Sequence, residues 1–212
     1  MRRSAPAIWS SLLATAVLCL STQCIAQLRM GVPGLYEDPA REPPLAGFTC
    51  CNLHYEGDWI SDANWSSMAM IPAGSPIRTT TYLTSQNRIA VSIGGKAMRL
   101  GLDYGKRQQS LAAWARKLIV AEDPKPRIAS WPPAVRDAIG LGKVALGMTK
   151  EQVIVAVGYP AMHQTPSLDA TQWKYWHTGF GAFLVLWDEA GRVKEVIADA
   201  IVRNGVLHEP KN

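Results

Sequence analysis

A cluster of prolines between residues 121 and 133 constrains the fold of this chain more than any other local feature. The cluster consists of Pro124, Pro126, Pro132 and Pro133. Proline in the interior of a helix or a central strand removes a backbone hydrogen-bond donor, so neither element is expected to run through this stretch. A chain of 212 residues can hold two small domains. The sequence therefore predicts a linker at 121–132 between two such domains.

The first 26 residues have the features of a secretory signal. Residues 1–3 form a short basic segment. Residues 7–21 form an apolar segment, which is shorter than the ~20 residues that a membrane span needs. Small residues at Cys24 and Ala26 favour cleavage after Ala26. A retained transmembrane anchor is the alternative. Lipidation of Cys24 is disfavoured because the large Gln23 precedes it.

Composition excludes two broad classes of protein. The chain is 48% hydrophobic, which is too apolar for an intrinsically disordered protein. Loss of the signal removes Arg2 and Arg3, and the formal charge of +5 falls by two units. Because no basic run remains, the sequence argues against a nucleic-acid partner.

The predicted organisation has six parts. In chain order they are a signal peptide at 1–26, a Pro-rich tether at 27–46, a small β domain at 47–120, a linker at 121–132, a second domain at 133–200 and a tail at 201–212.

The small β domain is predicted from short alternating runs. Residues 48–59 read as one strand, 77–83 alternate as a half-buried strand, and 88–93 form the next. Gly94-Gly95 is a strong hairpin signal. We expect a small antiparallel barrel or meander, followed by a helix that Ser110 caps and that runs to about Val120.

The most informative run begins at Gly147. Thr149 and Gln152 have the spacing of a capping box, so the next helix should start at Lys150. Gly158 suits the position after the last turn, and Pro160 cannot continue the helix. The sequence predicts a helix of about two turns.

Three strands should follow this helix, at residues 172–177, 182–187 and 192–198. A further short helix is expected at 133–140, where Pro133 suits the first turn. The order helix, helix, three strands predicts a two-layer α+β domain.

The same residues resemble the SmpA/OmlA/BamE family over about 141–198. The matching positions are Gly147, Met148, Thr149, Gln152, Val153, Gly158, Pro160, Trp173, Tyr175, Gly191, Arg192 and Val193. The resemblance implies an ααβββ fold in a bacterial envelope protein that binds proteins, performs no catalysis and carries no cofactor. It implies a scaffolding role in outer-membrane or periplasmic assembly, with an envelope protein as partner and association with the outer membrane. The chain departs from the small assembly factor of that family in its additional strand-rich domain and in the absence of a convincing lipidation site.

The N-terminal domain loosely resembles bacterial SH3-like modules. The residues that carry this resemblance are 71–77 and 95–100. Such modules commonly bind peptides or cell-wall material, so a peptidoglycan-binding module is the alternative function.

The adjacent residues Cys50 and Cys51 leave three interpretations open. They are one buried and one exposed thiol, or an oxidised pair, or part of a catalytic or metal site. His54 is the nearby candidate base for a Cys-dependent envelope enzyme, which is the second alternative function. Cys50, Cys51 and His54 are too few ligands for a zinc site on their own. We therefore expect no catalytic, cofactor or metal site.

Three tryptophans are candidates for an interaction surface. Trp173 and Trp176 fall on opposite faces of their strand, so one should face away from the core. Trp59 and Trp65 flank a polar loop. We expect Trp59, Trp65 and Trp176 to bind a partner, and burial beneath the N-terminal domain is the alternative.

Overall fold

The computed structural model describes residues 44–209. The predicted signal peptide and residues 27–43 of the predicted tether lie outside the described residues. Within the described range, no helix combines the length and the apolar character needed to cross a membrane.

A six-stranded sheet, curled into a half-barrel, forms the first part of the fold. Its strands are β1 (Ala46–Thr49), β3 (Trp59–Ser61), β5 (Pro76–Leu83), β6 (Arg88–Ile93), β7 (Lys96–Gly101) and β8 (Ile119–Val120). Their spatial order is β3-β7-β6-β5-β1-β8. The prediction of an antiparallel sheet is wrong at one pair, because β3 runs parallel to β7. Alternation within each strand carries no information about this distant pairing.

The predicted strand at 48–59 is broken into three. A bend at Cys50 and Cys51 ends β1, and β2 (Leu53–Tyr55) pairs with β4 (Ala69–Ile71) in a separate two-stranded sheet. The bend brings β1 and β2 into different sheets, which a continuous strand could not do.

The hairpin between β6 and β7 is confirmed. Gly94 and Gly95 adopt φ angles of +57° and +86°, the region that a tight two-residue turn requires. Ile89 and Val91 on β6 are buried, as the alternation predicts.

The alternation of β5 is confirmed only in its first half. Ile77 and Thr79 are buried, but the register against β6 shifts between Thr79 and Thr81. This bulge reverses the faces, so that Tyr82 packs against the core while Thr81 is exposed.

Helix α1 (Leu111–Leu118) covers the first core. The Ser110 hydroxyl accepts a hydrogen bond from the Ala113 N–H at 3.1 Å, which confirms the predicted cap. The helix ends before Val120, because β8 begins at Ile119 and pairs with β1. Its apolar side adds Leu111, Trp114, Ala115 and Leu118 to the core beneath the six-stranded sheet.

The second part of the fold is a three-stranded sheet with helices on one face. Its elements are α2 (Lys125–Ala129), α3 (Pro133–Gly140), α4 (Lys150–Val157), β9 (Gln172–Trp176), β10 (Ala182–Trp187), β11 (Val193–Ile197) and α5 (Ala200–Val206). The strands lie in the order β11-β10-β9 and are antiparallel. Helices α3, α4 and α5 share one core with the inner face of this sheet.

Two segments are more ordered than the sequence predicts. The linker at 121–132 contains α2, and Ile128 and Trp131 pack against the second core. The tail at 201–212 contains most of α5, whose Val202 and Val206 are buried. These apolar side chains fall one helical turn apart, which is too short a pattern to predict a helix alone.

The fold class is α+β, as predicted. Residues 44–209 all belong to one unit, although they form two hydrophobic cores. Ile154 on α4 packs against both cores.

Candidate functional site

The predicted capping box at the start of α4 is confirmed. The Gln152 N–H donates to the Thr149 hydroxyl at 3.3 Å, and the Thr149 N–H donates to Gln152 Oε1 at 2.9 Å. Met148 and Val153 are fully buried beside the cap. Gly147 adopts a φ of +79°, where a side chain would be strained. These five motif positions build the scaffold rather than a reactive site.

The cap is joined directly to the last strand of the sheet. The Gly147 N–H donates to the Val193 carbonyl at 2.9 Å, and the Val193 N–H donates to the Met148 carbonyl at 2.8 Å. The turn before β11 holds Gly191 at a φ of +70°, and the Arg192 N–H donates to the Asp188 carboxylate at 2.8 Å. The motif therefore ties α4 to the sheet.

The end of α4 is held against the sheet as well. The Gly158 carbonyl accepts a hydrogen bond from the Tyr175 hydroxyl at 3.2 Å. Burial raises the pKa of that hydroxyl well above its ordinary value. Pro160 is buried just after the helix. Gly158 and Pro160 thus end the helix where the sequence predicts.

Aromatic side chains fill the inner face of the three-stranded sheet. Trp173 and Trp187 meet edge to face with ring centroids 4.6 Å apart, and Tyr175 stacks on Phe183 at 5.2 Å. Trp173 is completely buried. Since large aromatic rings in contact resist repacking, this layer makes the sheet a rigid platform.

The opposite face of the same sheet belongs to neither core, and we call it the outer face. Its apolar residues are Trp176, Ala182, Leu184, Leu186 and Ile197, and the polar residues Gln172, Lys174 and Glu195 lie beside them. Cross-strand pairing places Trp176 opposite Ala182, and Leu184 opposite Ile197. None of these side chains belongs to either hydrophobic core of the described residues. The outer face is therefore an apolar stripe across all three strands.

Two further apolar side chains stand at one end of the outer face. Phe180, in the turn between β9 and β10, is fully exposed, and Ile201 at the start of α5 is 84% exposed. Gly181 lies against the side chain of Val202, so this turn and the start of α5 are neighbours. Exposure of several large apolar side chains in one region is typical of a binding surface.

Two of the three predicted surface tryptophans, Trp65 and Trp176, lie in neighbouring segments of the fold. The segment after Trp65 lies along β9, where the Ser66 N–H donates to the Trp176 carbonyl at 3.2 Å and the Ser67 N–H to the His177 carbonyl at 3.0 Å. Trp176 is half-buried and carries the Lys174 ammonium over its ring at 5.1 Å.

Trp65 also takes part in a group of ring side chains that the sequence did not indicate. Its ring meets Tyr104 edge to face at 6.3 Å, and Tyr104 stacks on His163 at 5.3 Å. The buried Asp62 carboxylate holds this loop by accepting hydrogen bonds from the N–H groups of Tyr104 and Gly105, at 3.1 and 2.7 Å.

Trp59 lies in a different environment. It is half-buried on β3 of the six-stranded sheet, with the Arg88 guanidinium 3.9 Å and the Arg99 guanidinium 5.3 Å from its ring centre. The ring also lies against Gly101 on the neighbouring strand. Its contacts are those of a cation–π cluster at a sheet edge rather than of the outer face.

Two buried asparagines join the two cores, and sequence analysis missed both. Asn52 Nδ2 donates to the carbonyls of Ile139 and Ala156 at 2.7 and 2.9 Å, and its Oδ1 accepts from the Ala73 N–H at 2.9 Å. This one side chain bonds to three backbone groups of the second core, of which the Ile139 carbonyl also accepts from the Gly142 N–H at 3.0 Å.

Asn64 makes the second connection. Its Nδ2 donates to the Val157 carbonyl at 2.8 Å, and its Oδ1 accepts from the His54 N–H at 2.7 Å. Asn64 adopts a positive φ of 45°, which asparagine tolerates better than most residues. Nothing local in the sequence marks either asparagine, because their partners lie far away in the chain.

Cys50 and Cys51 form a disulfide with each other. Of the three interpretations of this pair, the structure contains the oxidised one. The bond closes the shortest loop that two residues can make, for which the chain-entropy relation gives only about 1 kcal/mol, against about 3 kcal/mol for a 15-residue loop. Its main effect is thus local, on the bend between β1 and β2.

His54 is unsuited to act as the base for a cysteine in this state. Both sulfurs are bonded, so no thiol is present for it to deprotonate. His54 is 4% exposed, and burial lowers the pKa of its imidazole from 6.5 to about 4. Its Nδ1 has no hydrogen-bond partner among the described residues.

Among residues 44–209, no group of three or more His, Cys, Asp or Glu side chains could hold a metal ion. A groove of about 350 Å³ lies beside the disulfide, and Cys50, Trp131 and Tyr159 line it. A larger, open groove of about 990 Å³ lies between α3 and α5, where side chains of both charges, including Arg136, Asp137 and Arg203, line it.

Comparison with known proteins gives no relative for this chain: no protein-family model, curated protein or solved structure matches it.

Proposed function

We propose that this chain is a non-enzymatic bacterial envelope protein that binds a protein partner through the outer face of its three-stranded sheet. Its role is that of a scaffolding component in outer-membrane or periplasmic assembly. The observation that carries the proposal is the apolar stripe of Trp176, Leu184 and Ile197, with the fully exposed Phe180 at its end.

The chemistry of this surface suits protein binding. Aromatic and branched aliphatic side chains supply most of the affinity at interface centres, and water-excluding neighbours surround them. Leu184 sits on the central strand, with Lys174 opposite it on one side and Ile197 on the other. A partner that covered the stripe would remove these side chains from water. Each Å² of apolar surface buried in this way contributes a favourable free energy of about 25 cal/mol.

Rigidity also favours binding over catalysis. The outer face lies directly behind the layer of Trp173, Tyr175 and Phe183, so the strands that carry its side chains are packed against a filled core before a partner arrives. A preorganised surface loses less conformational entropy on association. By contrast, the disulfide and the neutral His54 offer no activated nucleophile.

The resemblance to the SmpA/OmlA/BamE family supports the same role. In support of the proposal, α4 begins with a capping box and ends at Val157, and three antiparallel strands follow it. In this proposal the C-terminal module is BamE-like, and residues 1–26 direct the chain across the inner membrane.

A pull-down from crosslinked envelopes tests the function. Wild-type protein should recover an envelope protein, and Phe180→Ser together with Leu184→Glu should reduce recovery by about thirtyfold, the effect of losing roughly 2 kcal/mol at an interface centre. Leu146→Ser is the matched control, because Leu146 is also an exposed apolar residue, at 60%, but lies outside the outer face. Recovery that is equal for all three proteins contradicts the proposal.

Two further measurements test the alternatives and the compartment. Sedimentation with purified peptidoglycan should leave this protein in the supernatant, whereas co-sedimentation supports the cell-wall-binding alternative. Fractionation with intact-mass measurement should find the mature chain in the envelope, cleaved after Ala26. A cytoplasmic, full-length chain contradicts the proposed location.

A further inference from the structure

The Cys50–Cys51 disulfide lies where the two cores of the fold meet. The Cys50 N–H donates to the Leu118 carbonyl at 2.9 Å, at the end of α1 above the first core. Two residues later, the Asn52 N–H donates to the Val155 carbonyl at 3.0 Å, on α4 in the second core. The bend at the disulfide thus connects both halves through adjacent backbone groups.

The side chain of Asn52 depends on the same bend. It bonds to Ile139, Ala156 and Ala73 at once, with all three distances between 2.7 and 2.9 Å. These bonds need the backbone at residue 52 in one orientation. Side chains of adjacent residues in an extended strand point in opposite directions, so a bond between Cys50 and Cys51 holds this stretch out of the extended form.

The two cysteines differ in their access to solvent. Cys50 is 8% exposed and lines the groove of about 350 Å³ that Pro124, Trp131 and Tyr159 also line. Cys51 is completely buried. Exchange with a thiol requires the incoming thiolate to reach one sulfur of the disulfide. The groove offers that approach to Cys50 and not to Cys51.

We propose that the Cys50–Cys51 pair is a reversible thiol–disulfide exchange site, which a dithiol reduces by attack on Cys50 from the groove. The first thiolate of the dithiol bonds to Cys50 Sγ, and the Cys50–Cys51 bond breaks. Its electron pair passes to Cys51 Sγ, which takes up a proton.

The second thiolate of the dithiol then bonds to its own partner sulfur and displaces Cys50, which is protonated in turn. Two electrons and two protons pass to the protein, and the dithiol becomes a disulfide. Reduction frees the bend, and the connections of residues 50 and 52 to α1 and α4 loosen. This inference does not depend on the proposed partner binding.

The first test measures access with variants that keep one cysteine of the pair. Cys51→Ser leaves the Cys50 thiol and Cys50→Ser leaves the Cys51 thiol, each in the full chain, and peptide mass analysis reads alkylation at residue 50 or 51 separately from Cys19 and Cys24. Without denaturant, iodoacetamide should alkylate Cys50 faster than Cys51 by on the order of tenfold or more, since a buried thiol reacts only through local opening. Equal rates overturn the proposed direction of attack.

The second test uses wild-type protein with dithiothreitol as the dithiol. Under native conditions both cysteines should become alkylatable, and oxidised glutathione should restore the disulfide. Hydrogen exchange at residues 50–52 and 155–158 should accelerate by on the order of tenfold on reduction, while the β6–β7 hairpin stays protected.

Three outcomes overturn the proposal. These are reduction that occurs only in denaturant, reduction that leaves exchange at 50–52 unchanged, and exchange that rises equally across the whole chain. Cys50→Ala/Cys51→Ala provides the matched control for loss of the bond, and its exchange pattern should follow that of the reduced protein.

Discussion

Acidification between pH 6.5 and pH 4 should destabilise this protein through His54. The imidazole is buried between the two cores, and burial lowers its pKa from 6.5 to about 4. The folded state therefore keeps His54 neutral in a range where the unfolded chain binds a proton. Because the unfolded state binds more protons there, the free energy of unfolding falls as pH decreases through this window.

The size of the effect follows from the two pKa values. The pKa of His54 is 6.5 in the unfolded chain and about 4 in the folded state. At a pH below both values, this difference lowers the free energy of unfolding by roughly 3 kcal/mol, at about 1.4 kcal/mol per pK unit. About 2 kcal/mol of this should already be lost at pH 5 relative to neutral pH. The effect is absent above pH 7.5, where both states are neutral. A loss of 2 kcal/mol is a large share of the stability of an ordinary domain.

Urea unfolding at a series of pH values, followed by tryptophan fluorescence, measures this dependence. His54→Gln should lose most of the slope between pH 7 and pH 5, although its stability at pH 7 can differ from that of the wild type. His177→Gln is the comparison variant. Burial also lowers the pKa of His177, but His177 is less buried than His54, so its substitution should change the slope less. Titration of the surface carboxylates cancels when each variant is compared with the wild type. A His54→Gln slope within about 0.3 kcal/mol per pH unit of the wild-type slope would refute the reasoning.

Three substitutions test the scaffold by thermal or urea unfolding. Asn52→Ala removes the bonds to the buried Ala73 N–H and Ala156 carbonyl, while the Ile139 carbonyl keeps the Gly142 N–H; it should cost about 3 kcal/mol, and an effect under 1 kcal/mol contradicts its role at the junction. Thr149→Ala removes the cap of α4 and should cost about 1 kcal/mol, and unchanged stability contradicts the contribution of the cap. Gly158→Ala places a methyl group against the Asn64 amide at a φ of +81°, so it should cost at least about 2 kcal/mol, and a stable Gly158→Ala protein is inconsistent with the close packing.

Local features of this fold could be predicted from the sequence. The capping box of Thr149 and Gln152, the Gly94-Gly95 turn and the cap at Ser110 each depend on residues within four positions of one another. Their hydrogen bonds form within one turn of chain, so the local sequence contains the needed information.

Features that depend on distant partners could not be predicted. The parallel pairing of β3 with β7 joins strands that are separated by three others in the chain. Asn52 and Asn64 look like ordinary polar loop residues until their partners on α3 and α4 are known. The bulge at Thr79 reverses an alternation that is regular in the sequence itself.

The candidate surface was predicted in part. Alternation along β9 places Trp173 inside and Trp176 on the other face, as expected. The contributions of Leu184 and Ile197 depend on the register of β10 and β11. Phe180 gave no signal, because a single aromatic residue in a turn has no periodicity.

Site-specific photocrosslinking from the outer face tests the central claim most directly. A photoreactive residue at Leu184 should crosslink the chain to one envelope protein in intact cells, and the same residue at the exposed control position Leu146 should not. Adducts of the same partner from both positions, or no adduct from Leu184 in a correctly folded and located chain, would contradict the account.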